Sequence, residues 1–327
     1  MKIIQVIADH AHIDTLSSIA AQYQVDDFWV SDTLQDGRAS ACFLVSPQRR
    51  QPVLDAIQLA VSTSKNHRIL VLPTEASLPR STGEEKPSAR KGISTTREEL
   101  YNNIYKGAEL DGNYLLLVFL STIVAAIGLL ENNVAVVIGA MVIAPLLGPN
   151  IALALGTALA DTGLMWKALR CILSGLSLAV ALSFVIGWLW GGPADSDEVM
   201  ARTYVHFSGA ALALASGAAA VLSLTTGLPS VLVGVMVAVA LLPPASTLGI
   251  MLAHQEYQQA YGATLLLAVN IVCVNLAAKL VFLLKGVRPR TWLEKVRAKQ
   301  SLTVYIVVWL LSLAALMVLA YLNRLTA

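Results

Sequence analysis

Two short runs in the 327-residue chain set proline beside small polar side chains inside long apolar stretches: Pro145-Leu146-Leu147-Gly148-Pro149-Asn150 and Leu241-Leu242-Pro243-Pro244-Ala245-Ser246-Thr247. A proline withholds a backbone donor and clashes with the preceding turn, which leaves carbonyls and amides unpaired. In hydrocarbon each unpaired group costs several kcal/mol, so such a run must be buried in protein or face a polar solute. The chemistry on offer is binding, by backbone dipoles, half-helix ends and neutral oxygens. The candidate contacts are Pro145, Gly148, Pro149, Asn150, Pro243, Pro244, Ser246 and Thr247, joined by Asn270 deep in a later apolar run. Plain proline kinks in tightly packed helices are the alternative reading.

The remaining polar residues narrow the chemistry. No acidic residue falls deep in an apolar run; Glu131 and Asp161 sit at the two ends of the second. That argues against a proton relay built on buried carboxylates. Lys279 falls near the end of its run, where it can snorkel to water. Asn270 and Asn275 are five apart and share no ideal helical stripe. Ser174, Ser177, Ser208 and Ser216 read as packing residues, since small hydroxyls join membrane helices. Cys42, Cys171 and Cys273 form no CxxC pair and no disulfide framework. With no nucleophile–base pair and no metal cluster at depth, the expectation is no enzyme, no cofactor and no metal.

These runs need elements to hold them. The chain is 56% hydrophobic and 13% charged with mean hydropathy +0.65, against about 25% charge in a soluble domain. Residues 1–111 hold 12 of the 23 Lys+Arg and 14 of the 21 Asp+Glu. The composition thus describes a soluble head and a membrane body. It excludes a wholly soluble enzyme, a disordered chain and a β-barrel porin, which would alternate polar and apolar residues. A net charge of +2 is too small to suggest a nucleic-acid partner. Apolar runs long enough to span fall at about 112–130, 134–160, 169–190, 206–225, 229–253, 260–284 and 302–322. This predicts an α-helical polytopic membrane protein of about seven spans.

The body repeats itself at an offset of 95 residues. Gly139, Met141, Val142, Leu146, Leu147 and Pro149 match Gly234, Met236, Val237, Leu241, Leu242 and Pro244, six identities in eleven positions. The copies are about 112–190 and 206–284, with an extra span at about 302–322. Three spans per copy would invert the second, and proline-interrupted helices at equivalent points of inverted repeats point to a transporter's site. Residues 285–300 carry six Lys/Arg and are expected in the cytoplasm. Counting back places the head inside and Gly191–Tyr204 outside. The rival reading makes the interrupted segments re-entrant and exchanges the sides of the two intermediate loops.

Residues 1–74 read as βαββαβ, the ferredoxin-like order: Lys2–Ala8, Ile13–Tyr23, Phe28–Thr33, Ala39–Val45, Arg50–Val61 and Arg68–Leu72, with Asp36-Gly37 as the hairpin turn. Asp9-His10-Ala11-His12-Ile13-Asp14 reads as a solvated turn with Asp14 near the N-cap, and Arg49-Arg50 as surface charge. Residues 75–95 have linker composition. Thr96-Arg97-Glu98-Glu99 fits a capping box opening a helix over about 97–110. Its stripe of Leu100, Ile104 and Ala108 suits a helix at the membrane surface. The start has no signal-peptide shape, because its apolar run is short.

The run Ile138-Gly-Ala-Met-Val-Ile-Ala-Pro-Leu-Leu-Gly-Pro149 resembles the signature of the bacterial and archaeal hydrophobic-domain membrane proteins grouped as domain of unknown function 389. The resemblance covers about 100–290 and implies the polytopic architecture; members often add a small cytoplasmic domain. Asn150 departs from the pattern, which has an aliphatic residue there. The expectation is a multi-pass inner-membrane protein with a cytoplasmic N-terminal regulatory domain. It would move a small polar or ionic solute between the two proline runs, with the bilayer and that solute as partners and a homo-oligomer as an open arrangement. The alternative is a receptor or scaffold that anchors its head without transport.

Overall fold

The computed structural model of the chain describes residues 2–31, 37–46, 49–62, 64, 66–74, 97–226, 230–287 and 307–323. It divides into two compact units, Met1–Glu99 and Leu100–Ala327. In the first, β1 (Lys2–Asp9), α1 (Ile13–Gln22), β2 (Asp27–Ser31), β3 (Arg38–Val45), α2 (Arg50–Val61) and β4 (Arg68–Pro73) follow in that order. The strands form one antiparallel sheet ordered β2-β3-β1-β4. Period-two alternation sends Ile4, Val6 and Ala8 to one face, where they share a core with Phe43, Leu16, Val53, Ile57 and Val61. Gly37 closes the β2–β3 connection at φ 80. Asp36, the linker 75–95 and Thr96 lie outside the described residues.

Two readings of the head need correction. Asp14 lies in the first turn of α1 but makes no capping bond; the N-cap is His12. Arg50 is not surface charge. It is buried, because it opens α2 on the core side; burial lowers its pKa, and the nearby Glu99 carboxylate works the other way.

The second unit is helical. It contains most of α3 (Arg97–Lys106), then α4 (Gly112–Leu130), α5 (Val134–Ile143), α6 (Leu147–Leu159), α7 (Thr162–Leu189), α8 (Asp197–Met200), α9 (Phe207–Thr226), α10 (Ser230–Ala253) and α11 (Tyr257–Leu284). A further helix, α12, covers Val307–Asn323. Among the described residues four helices (α4, α7, the α9 stretch Phe207–Thr225, and α11) are long and apolar enough to cross a membrane, and α5 with α6 makes a fifth if that bent pair is one span. Ala240–Ala253 of α10 and Val307–Asn323 are shorter apolar stretches. Leu116, Phe119 and Leu120 of α4 and Leu173, Phe184 and Val185 of α7 face outward. Exposed apolar rows of this extent suit lipid and not water. Trp166 and Trp188 are both exposed on α7; at 1.5 Å per residue they stand about 33 Å apart, close to the thickness of a bilayer core.

The helix bounds recur at 95 residues. Gly112 and Thr162 become Phe207 and Tyr257, and Leu189 becomes Leu284. Ala160 and Gln255, also 95 apart, both adopt left-handed backbone at φ 56 and 61. Each closes its segment with the same bond, Asp161 N–H to Gly156 O at 2.9 Å and Glu256 N–H to Met251 O at 3.0 Å.

Hydrogen bonds fix which helix ends lie together. Tyr101 Oη donates to Asp161 Oδ2 at 2.7 Å, and Lys167 Nζ reaches Glu109 Oε1 at 3.2 Å. The chain therefore enters α4 and α7 from the same end of the bundle. At the far end Glu198 N–H donates to Asn132 Oδ1 at 3.0 Å, so α4 and α7 also finish together. The bent α5–α6 pair must carry the chain back from the finishing end to the starting end. His254 Nε2 lies 3.1 Å from Gly192 O, which puts the end of α10 beside the finishing end of α7. Thr203, just before α9, packs on Gly262 in α11 so closely that a Cβ at 262 would sit 1.8 Å from the Thr203 carbonyl oxygen. The second triplet of helices thus starts at the end where the first finishes.

Candidate functional site

The first proline run forms a real break. Proline disfavours helical backbone in the residue before it, and Ala144 accordingly leaves the helix at φ −66, ψ 120. The α5 and α6 axes then differ by 56°. Pro149 falls in the first turn of α6, where no intrahelical donor is required of it. Asn150, 1% exposed, donates from Nδ2 to Leu146 O at 3.0 Å. Its Oδ1 accepts from Asn275 Nδ2 at 3.3 Å, and the same Nδ2 bonds Ile271 O at 2.9 Å.

The second run does not break its helix, which corrects the expectation of two equivalent interruptions. α10 continues through Pro243 and Pro244. Pro244 withholds the N–H that would bond Ala240 O, and Asn270 Nδ2 of α11 donates to that same oxygen at 2.8 Å. A neighbouring side chain thus replaces the missing backbone donor, a known way for membrane helices to tolerate proline. The position equivalent to Ala240 in the first copy is Pro145, and the position equivalent to Asn270 is Gly175. The first copy has proline in place of Ala240 and no amide in place of Asn270, so it opens.

Among the described residues no hydrogen bond joins the Pro145–Asn150 run to the Pro243–Thr247 run. α11 meets both, through Asn275 on one side and Asn270 on the other. Their five-residue spacing directs them to different helices. Four side-chain oxygens of α10 and α11 are buried with no hydrogen-bond partner among the described residues: Ser246 Oγ, Thr247 Oγ1, Asn270 Oδ1 and Asn275 Oδ1. Ser246 and Thr247 are wholly buried, and Asn270 and Asn275 are 6% and 2% exposed. A buried polar group left unpaired costs about 1–3 kcal/mol.

Gly148, half-buried, plays another part. A Cβ there would lie 2.2 Å from the carbonyl oxygen of Gly107, so two glycine backbones touch and the turn after α3 seats on the break. Leu100, Ile104 and Ala108 are buried as a stripe. Lys167 Nζ sits 3.4 Å above the Tyr105 ring. Burial and the Asp161 carboxylate hold the Tyr101 phenol up at about 12. Nothing in the sequence singled out Gly107 or Tyr101. Lys279 is a further correction: at 1% exposed it does not snorkel, because it follows Asn275 by one turn on the inward side of α11. Among the described residues no group of three His, Cys, Asp or Glu could hold a metal ion.

Residues 141–276, which include both proline runs, match the family described as "Domain of unknown function (DUF389)". The uncharacterized protein MJ0678 of Methanocaldococcus jannaschii is 35% identical over 255 residues, covering 78% of this chain and 79% of the relative. No solved structure matches the chain. The chain belongs to the DUF389 family.

Proposed function

We propose that the protein is a seven-span, non-enzymatic carrier of the cell membrane that moves a small polar or ionic solute past α11, with a ferredoxin-like cytoplasmic head that regulates it. The observation that carries this reading is the set of buried, unpartnered oxygens on Ser246, Thr247 and Asn270 beside the tandem prolines of α10. A helix that only needed to be kinked has no use for buried polar oxygens without protein partners at that point. The seven spans are the five counted above together with α10 and α12. The shared ends of α4 and α7, and the start of the second triplet at the opposite end, support an inverted repeat in which α5–α6 crosses and does not turn back. The strand order β2-β3-β1-β4 supports the ferredoxin-like assignment of the head.

Two measurements test the proposal. Impermeant thiol labelling of Asp161→Cys and Asp195→Cys, with Cys42, Cys171 and Cys273 replaced, is expected to mark 195 and not 161 from outside intact cells. The opposite pattern would remove the inverted arrangement. Proteoliposomes of the full chain are then assayed with sodium, rubidium, chloride, glycerol and urea. Flux of one of these above empty vesicles, lost in Thr247→Val, supports a carrier. Flux no greater than in empty vesicles for all five would favour a receptor or scaffold.

A further inference from the structure

We propose that a polar cavity beside the start of α11 binds the primary ammonium group of a small hydrophilic molecule, either a dissolved amine or a lipid headgroup. The cavity has a volume of about 270 Å³ and is lined by Thr203, Tyr204, Glu256, Gln258, Gln259 and Asn323. It brings together the turn before α9, the first turn of α11 and the end of α12. None of these residues belongs to the proline runs.

The internal repeat shows why an acid stands open here. Asp161 and Glu256 are equivalent, 95 residues apart. In the first copy both Asp161 oxygens are committed: Oδ2 accepts from Tyr101 Oη at 2.7 Å and Oδ1 from Leu164 N–H at 3.0 Å. Lys167 supplies a cation at the same end, paired with Glu109 at 3.2 Å. The second copy keeps the acid and loses its company. Ser196 stands in place of Tyr101 and donates to Leu129 O instead. Gly262 stands in place of Lys167, and Gln259 in place of Leu164. The Glu256 side chain does not cap α11 and has neither a hydrogen bond nor an ion pair among the described residues.

The lining selects the ligand. An ionised carboxylate accepts and cannot donate, and it repels an anion. Gln259 Oε1 is buried without a partner among the described residues, and an amide oxygen is likewise an acceptor only. An ammonium group answers both, with a positive charge and three N–H donors. Tyr204 adds an aromatic ring, and such rings attract ammonium groups. The amides of Gln258 and Asn323 can donate as well as accept, which suits a polar chain behind the nitrogen. A metal ion holds its ligands at about 2.3–2.6 Å and would leave most of the cavity unfilled. Glu256 and Gln258 are exposed, so the cavity opens to water. Exposed Tyr204, Tyr257 and Tyr261 stand at the same end of the bundle, and tyrosines collect at the headgroup level of a bilayer.

The test is thermal unfolding of the purified full chain in phosphatidylcholine nanodiscs at pH 7. Ethanolammonium chloride is compared with choline chloride at equal concentration; choline carries the same charge without an N–H. Ethanolammonium is expected to raise Tm by on the order of 3 °C with saturation, and choline by less. Glu256→Gln keeps the shape and removes the charge. It should unfold at the parent's Tm in choline, because Glu256 has no partner to lose, and should show no ethanolammonium shift. Asp161→Asn, at the equivalent place in the first copy, should keep the full shift. Equal Tm of the parent in the two salts, or an undiminished shift in Glu256→Gln, would overturn the proposal. Nanodiscs containing phosphatidylethanolamine distinguish the two sources. A higher starting Tm with no further ethanolammonium shift assigns the cavity to the headgroup, and an unchanged shift assigns it to a dissolved amine. The readout requires no transport, so the site stands or falls separately from the carrier reading.

Discussion

The two halves of the membrane unit start from the same pattern and reach different structures. Pro149 and Pro244 are equivalent, and the helix bounds around them agree after a shift of 95 residues. In the first half the chain leaves the helix at Ala144, turns through 56° and resumes at Leu147. In the second half α10 passes through both prolines. The difference begins with Pro145, which stands where the second half has Ala240, and extends to the next helix. Asn270 hands the Ala240 carbonyl the donor that Pro244 lacks, whereas its counterpart Gly175 has no side chain and packs against the Tyr114 hydroxyl. A proline therefore does not by itself dictate a break; the third helix of the same copy decides whether the orphaned carbonyl finds a partner.

The first half can be broken most severely at its glycine contact. Gly148→Ala forces a Cβ to within 2.2 Å of the Gly107 carbonyl oxygen, a backbone atom that cannot swing aside. A loss of about 3 kcal/mol is expected, seen as a lower unfolding midpoint in mixed micelles. Gly139→Ala in the same half has open space around it and should be neutral or slightly stabilising, by up to about 1 kcal/mol. If both substitutions cost the same, the seating of the 107 turn on the break is wrong.

The second half is sharpened next. Asn270→Leu removes the donor and leaves Ala240 O buried and unpaired, at a cost of about 2 kcal/mol. Less depends on the bond that ties the starting ends of α4 and α7. Tyr101→Phe should lose about 1 kcal/mol. With the phenol pKa raised from 10.0 to about 12, its contribution is intact below pH 10 and disappears as the pH rises through about 12. Tyr101→Phe should flatten the stability profile over that interval. The smallest effect is at Lys167, whose ion pair with Glu109 is partly exposed; Lys167→Met should cost at most about 0.5 kcal/mol.

Periodicity and the repeat made much of this legible in the sequence. The bounds of α2 were readable from Val53, Ile57 and Val61, and the apolar runs of α4, α7 and α11 from their length. The buried stripe Leu100, Ile104 and Ala108 was equally plain. Nothing local could show that the second proline run stays helical, because its outcome is set by a side chain 26 residues downstream. Lys279 misled for a related reason: distance to the end of a run is visible in sequence, but which face the helix turns inward is a matter of packing. The Gly107–Gly148 contact joins two backbones 41 residues apart and leaves no compositional trace beyond the glycines themselves.

A double-mutant cycle on Pro244 and Asn270 tests the central comparison most directly. Pro244→Ala restores the backbone N–H to Ala240 O, so the amide of Asn270 is no longer needed there. Unfolding free energies of the parent, Pro244→Ala, Asn270→Leu and the double variant are measured in mixed micelles. The account predicts that Asn270→Leu costs about 2 kcal/mol beside Pro244 and under about 0.5 kcal/mol beside Ala at that position. Equal costs in the two backgrounds would contradict it.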